Sequence, residues 1–159
     1  MKIALTVLLV AFVATACTQT AIAPPKATVA RFFLELIDQT DATLVLPRSE
    51  TRINVAAKPV FTEYDIADVE VAHVELGQCL LFQLTPAAAR DLNRLSAANA
   101  GRRLVLTIDG RPMGARRIDR TFDEGSLLVF AEVPDEELPA LQSALRKTAR
   151  TMQASAPKK

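Results

Sequence analysis

Residues 84–118 read LTPAAARDLNRLSAANAGRRLVLTIDGRPMGARRI, and this stretch decides the fold class because a helix signal runs straight into a hairpin signal. Thr85 can cap a helix with its hydroxyl, and Pro86 suits the first helical position, where an N–H would have no partner. Ala88, Leu92, Leu95 and Asn99 then recur on one helical face until Gly101 stops the run. From Arg103 the period drops to two, with Leu104, Leu106 and Ile108 alternating against Val105 and Thr107. Asp109-Gly110 predicts a two-residue type I′ turn, since both positions accept positive φ, and the segment from Arg111 to Ile118 returns as the partner strand. A helix followed by an antiparallel hairpin makes the domain α+β.

On the C-terminal side, Asp123-Glu124-Gly125 reads as a turn and SLLVFAEV, from Ser126, as a strand. A last helix opens at Pro134-Asp135-Glu136-Glu137 and carries an apolar stripe of Leu138, Leu141, Leu145, Ala149 and Met152. Pro139 belongs to its first turn, and Arg146, Lys147 and Arg150 complement the dipole at its end. On the N-terminal side, CLLFQL, from Cys79, pairs with DVEVAHVEL, from Asp68, through a turn at Gly77-Gln78. In the latter strand Val69 and Val71 point one way and Val74 and Leu76 the other, so a bulge near Ala72–His73 is expected to return both pairs to the core. Thr62 to Asp65 spells T-x-x-D, which predicts a short capped helix over Tyr64–Ala67. RFFLELI, ATLVLP and RINVAAKPVF supply further short strands, with Pro47 and Pro59 confined to their ends. The expected product is a single domain over residues 29–150 with a largely antiparallel sheet and two main helices, followed by a flexible tail over 151–159.

The first residues, MKIALTVLLVAFVATACTQT, have the form of an export signal: Lys2, then an apolar run from Ile3 to Ala16 that is shorter than the roughly 20 residues a spanning helix needs. Ala14-Thr15-Ala16 before Cys17 resembles a bacterial lipobox, with Ala14 where leucine is commonest. That resemblance implies a signal peptide over 1–16, acyl chains on Cys17 and a lipidated tether over 17–28. Thr18 in the next position implies, by the same resemblance, an outer-membrane, periplasm-facing location. Ordinary secretion into the periplasm and an uncleaved anchor are the alternatives.

With Lys2 removed, basic side chains equal the 18 acidic ones, so bulk electrostatics recruits no partner. Nucleic acid is further disfavoured by the absence of Trp and the single Tyr. If Cys17 is acylated, Cys79 stands alone and reads as a small buried hydrophobe. A catalytic thiol there would need His73, the one histidine, which reads as a strand residue. Ser49 and Ser96 lack a nucleophile elbow, no metal-ligand spacing occurs, and carboxylate pairs such as Asp119 with Asp123 or Glu136 with Glu137 sit at turns and helix starts. The expectation is a protein without catalytic residues, metal, cofactor or small-molecule substrate; the alternative is an enzyme whose site these motifs do not reveal.

Arg102, Arg103, Arg111, Arg116, Arg117 and Arg120 crowd the stretch quoted above and the two residues after it. Strict alternation would place Arg111 and Arg117 on one face of the return strand and Arg116 on the other. They read first as a solvated or ion-paired hairpin, and second, through Arg111, Arg116 and Arg117, as a contact for an acidic protein surface.

PVFTEYDIADVEV (from Pro59), the residue 84–118 stretch and GSLLVFAEVPDEELPALQSALRK (from Gly125) together resemble the head subdomain of the first periplasmic domain of SecD, the protein-export accessory subunit. The shared features are a threonine-led "D-I" step, a helix ending in a glycine segment, a "D-G" hairpin, a glycine turn and an acidic-start helix. Arg116 stands where that family usually has proline, and LRKT where its last helix usually ends in leucine-x-x-glycine. No apolar run of spanning length follows the signal in these residues, so the membrane helices of SecD are not expected here. The resemblance implies a binding module that engages unfolded polypeptide or docks on another envelope protein.

Overall fold

A computed structural model describes residues 27–38 and 41–155. The expectations for the signal peptide, Cys17 and the tether as far as Lys26 lie outside these residues. In chain order the strands are β1 (Ala30–Leu34), β2 (Ala42–Val45), β3 (Arg52–Val55), β4 (Ile66–Val74) and β5 (Gly77–Leu84). Helix α1 (Pro86–Ala98) precedes β6 (Arg103–Ile108), β7 (Arg111–Arg117) and β8 (Ser126–Val129), and a single 3-10 turn at Asp135–Glu137 leads into α2 (Leu138–Ser155).

The fold is α+β, as expected, but the sheet is divided. All pairings are antiparallel, in orders β1-β6-β7, β2-β3 and β4-β5-β8. The joint between the two three-stranded sheets is a close backbone approach. A Cβ on Gly114 in β7 would stand 2.4 Å from the carbonyl oxygen of Phe130, just after β8, and the Glu132 N–H donates to the Met113 carbonyl at 2.6 Å.

Strand β6 shows why the division is stable. Leu104, Leu106 and Ile108 join the main core with Phe32, Leu80, Phe82, Leu92 and Ile118. On its other face Val105 joins a second cluster of Leu46, Ile53 and Val55 beneath the β2-β3 hairpin. Phe32 lies at the main centre, edge-on to Phe82 with centroids 5.1 Å apart and to Phe61 at 6.5 Å. Fully burying each such side chain contributes roughly 1.5–3 kcal/mol.

The helix and hairpin of residues 84–118 form as their local signals require. Thr85 accepts from the Ala88 N–H at 3.3 Å with Pro86 in the first turn. Asn99 ends α1 by donating its amide to the Leu95 carbonyl. Asp109 and Gly110 have φ of 51° and 80°, the paired left-handed conformations of a type I′ turn. Asp109 also exchanges two bonds with Val29, donating its N–H to the Val29 carbonyl and accepting the Val29 N–H on Oδ1, each at 2.9 Å.

Four local expectations are corrected. No helix forms over Tyr64–Ala67: Asp65 reaches back to accept from the N–H and hydroxyl of Thr62 at 2.8 and 3.0 Å. The result is a turn, and β4 starts at Ile66 because pairing with β5 satisfies the backbone that a helix would have used. No bulge lies at Ala72–His73, since the irregularity falls between Ile66 and Asp68 and the register then runs evenly to Val74. Val74 and Leu76 are not returned to the core but stand 39% and 85% exposed, because the hairpin outruns the core beneath it. The hairpin loop is Glu75–Leu76, with Gly77 paired to Val74, not Gly77-Gln78.

At the other end, α2 runs to Ser155, so residues 151–155 of the expected tail are helical, and 156–159 lie outside the described residues. Gln153 extends it by donating to the carbonyls of both Tyr64 and Ile66 at 3.1 Å.

Candidate binding surface

The arginine hairpin is not one surface. Across β6 and β7, Ile108 pairs with Arg111 and Thr107 with Pro112, but Leu106 pairs with Gly114, which leaves Met113 as an extra residue. This bulge inverts the alternation for the rest of β7. Cross-strand partners share a face, so Arg111 and Arg116 fall on the side of Leu104, Leu106 and Ile108, and Arg117 falls with Arg103 and Val105. The expected grouping of Arg111 with Arg117 is therefore wrong, for want of that one residue in the count.

Each arginine has a different environment. Arg103 is gripped by Glu35, which accepts from its Nε at 2.9 Å and from its backbone N–H at 2.8 Å. That grip is bidentate through Nη2, and hydrogen bonding to Arg103 holds the Glu35 carboxyl below its ordinary value against the opposing effect of burial. Arg103 is thus a fastener between β1 and β6. Arg116 is half-buried, bonds both oxygens of Asp119 at 3.2 and 3.1 Å, and lies 5.6 Å over the Phe122 ring. It closes a pocket of about 40 Å³ with Arg120, Phe122 and Ser126, far smaller than the several hundred Å³ of a typical small-molecule site. Arg111, Arg117 and Arg120 are exposed, and none has an acidic partner among the described residues. Of the three candidate contact residues, Arg111 and Arg117 are accessible, on opposite faces, while Arg116 belongs to the packing.

Two further glutamates act as fasteners. Arg31 holds Glu63 through paired bonds of 3.0 Å, and the Glu63 carboxyl lies below its ordinary value chiefly through those bonds. Burial pushes the Glu132 carboxyl up, but bonds from the Ser49 hydroxyl and N–H and from the Arg48 N–H outweigh it and leave Glu132 lowered. Glu132 thereby ties the β2-β3 loop to the segment after β8.

Cys79 is fully buried, its thiol pushed up by burial with slight opposition from Arg116, and it contacts the Ala72 carbonyl at 3.6 Å. A thiol in that state is a poor nucleophile. His73 is exposed near the tip of the β4-β5 hairpin. Among the described residues no three His, Cys, Asp or Glu side chains are placed to hold a metal ion.

One surface was not legible as a candidate. A groove of about 510 Å³ runs between β4 and the first turns of α2, lined by Glu70, Val71, His73, Gln78, Pro139 and Arg146. These residues share no motif; they come together only because α2 crosses the sheet edge.

No protein-family model matches the chain, and no characterised protein matches it by sequence. Solved structures do match in fold. A structure of the membrane component SecDF that enhances protein export superposes with a TM-score of 0.60 at 21% identity, covering 76% of this chain and 62% of that one. SecDF in its super-membrane-facing form gives 0.61 at 20% identity, over 76% of this chain and 19% of that one. SecDF from Thermus thermophilus, a translocon-associated membrane protein, gives 0.52 at 19% identity over 78% and 20%. The domain is of the α+β, SecD-head-like class. The chain spans 62% of the first of these structures and about a fifth of the other two. No helix among the described residues is long and apolar enough to cross a membrane.

Proposed function

We propose that this domain is a non-enzymatic binding module, tethered by acyl chains on Cys17 to the periplasmic face of the outer membrane, that engages polypeptide or docks on another envelope protein in an export-related process. The observation that carries this reading is the SecD-head-like fold over 76% of the chain, shared with a membrane component that enhances protein export. Its supports are a core closed around three antiparallel sheets, carboxylates engaged as fasteners and a thiol that burial keeps protonated. Arg111 and Arg117 are the exposed charges through which an acidic surface could be drawn in.

The test is a titration of labelled, unfolded polypeptide into the protein at low and physiological salt. Saturable binding without turnover is expected. If the hairpin contributes, Arg111→Glu with Arg117→Glu weakens binding and flattens its salt dependence while leaving the denaturation midpoint nearly unchanged, since exposed charges contribute about 0–1 kcal/mol each. Arg116 is unsuitable for such a test because it is packed against Phe122. Turnover of an ester, peptide or glycan abolished by a single side-chain change overturns the non-enzymatic reading. Intact mass of the membrane-extracted protein, with and without Cys17→Ala, decides the tether.

A further inference from the structure

Strand β4 is the outer strand of its sheet, paired among the described residues with β5 alone, and α2 covers only part of its free edge. Val69 marks that edge. Its N–H donates to Asp68 Oδ1 at 2.9 Å and its carbonyl accepts from Gln142 Nε2 at 2.7 Å, so both groups turn away from β5. Below it, Gln153 serves the carbonyls of Tyr64 and Ile66. Backbone groups of an antiparallel strand face the same way at every second residue, and the register runs without a shift from Asp68 to Val74. The N–H and C=O groups of Val71 and His73 therefore point outward as those of Val69 do, and no bond to them exists among the described residues.

These groups open on the groove beside α2, which presents Pro139, with no N–H to offer, together with Gln142 and Arg146, whose donors are engaged by the Val69 carbonyl and by Asp68 and Glu70. They form two donor–acceptor pairs about 6.8 Å apart, the repeat that a second β-strand matches group for group. Exposed Val74 and Leu76 continue the edge with apolar surface. The surroundings are acidic: Glu75 follows the strand at its open end, and Asp135, Glu136 and Glu137 precede Pro139, all exposed. Arg146, the cation of the groove, is already engaged by Asp68 and Glu70.

We propose that an extended segment of another polypeptide, with basic and apolar residues in alternation, adds as a strand to the Val71–Val74 edge of β4. This rests on the polypeptide-binding reading above and assigns the contact to the sheet edge, away from the arginine hairpin. Backbone bonds supply affinity with little demand on sequence, which suits a module that receives unfolded chains.

The test uses an alternating lysine–valine peptide and residue-resolved amide exchange. At saturating peptide, exchange at Val71 and His73 slows by about tenfold or more. The same peptide N-methylated at alternate residues loses affinity by a comparable factor, because it cannot donate along one edge. His73→Pro removes one outward N–H without removing a bond to β5 and weakens binding. If His73→Pro fails to fold, the N-methylated peptide carries the test alone. Peptide binding without protection at Val71 and His73, or equal affinity for the N-methylated peptide, overturns the edge assignment and spares the binding reading. Failure to bind either this peptide or unfolded polypeptide overturns both. Protection that grows with protein concentration in the absence of peptide assigns the edge to a second copy of this chain and overturns the proposal.

Discussion

The two long hairpins, β6-β7 and β4-β5, expose their free edges in opposite ways. The outer strand β7 is guarded by its own residues, Arg111, Pro112 and Arg117 along the strand and a bulge at Met113 that breaks its flatness, and by the segment after β8, whose Glu132 N–H donates to the Met113 carbonyl. The outer strand β4 carries its one irregularity at its start, between Ile66 and Asp68, and none from Asp68 to Val74. It is guarded by another element, through Gln142 and Gln153 of α2, and only over Tyr64–Val69. Together these devices span β7 from Arg111 to Arg117, whereas an edge protected by a crossing helix is open wherever the helix turns away. The basic cluster that draws attention in the sequence is therefore the closed edge, and the Val71–Val74 segment, which no motif marks as a contact, is the open one.

The sharpest contrast between the hairpins is in the core. Leu106 in β6 is fully buried within the main cluster, so Leu106→Ala should cost about 2–5 kcal/mol, read as a lowered denaturant midpoint with unchanged m-value. An effect below about 1 kcal/mol would show that β6 is not the central strand described.

The joint between their sheets comes next. A methyl on Gly114 would collide with the Phe130 carbonyl, which is backbone and cannot rotate away. Gly114→Ala should destabilise by about 1–3 kcal/mol. A neutral result would mean that β7 and the end of β8 are not in contact.

Acid should then loosen the fasteners. The folded-state carboxyls of Glu35, Glu63 and Glu132 are all lowered. Their contribution is complete above the unfolded glutamate value of about 4.3 and is lost as pH falls from there through the folded values. Denaturation midpoints measured from pH 7 downward should therefore decline below about pH 4.5, and Glu35→Gln should flatten the decline. A profile that Glu35→Gln does not alter would remove Arg103 from the fasteners.

The smallest effect is expected at the hairpin tip. Leu76 is 85% exposed, so Leu76→Ser should shift stability by no more than about 0.5 kcal/mol. A larger loss would place Leu76 in a contact that the open-edge comparison excludes.

Legibility followed the range of the interactions. Thr85-Pro86, Asn99 to Gly101 and Asp109-Gly110 act within one turn of chain, and each did in the fold what its residue types require. The faces of β7 were misread because a bulge is a decision about pairing, and Met113 carries no mark of being the unpaired residue. Asp65 was misread for a related reason. T-x-x-D serves a helix start or a closed turn equally well, and the pairing of Ile66 onward with β5 selected the turn. Glu35, Glu63 and Glu132 could not be singled out, since their partners lie 68, 32 and 83 residues away.

By itself, then, the sequence determined the elements whose energetics are local: a capped helix, a turn needing two left-handed residues and an apolar period of two. Tertiary structure alone decided which strands became edges, which edge the last helix covers and where that cover stops. An edge is defined by the absence of a neighbour, and no single segment encodes what fails to pack beside it. Val71 and His73 look in sequence like any other strand residues; only the path of α2, held by Gln142 below them and starting at Leu138, leaves their backbone groups facing an open groove.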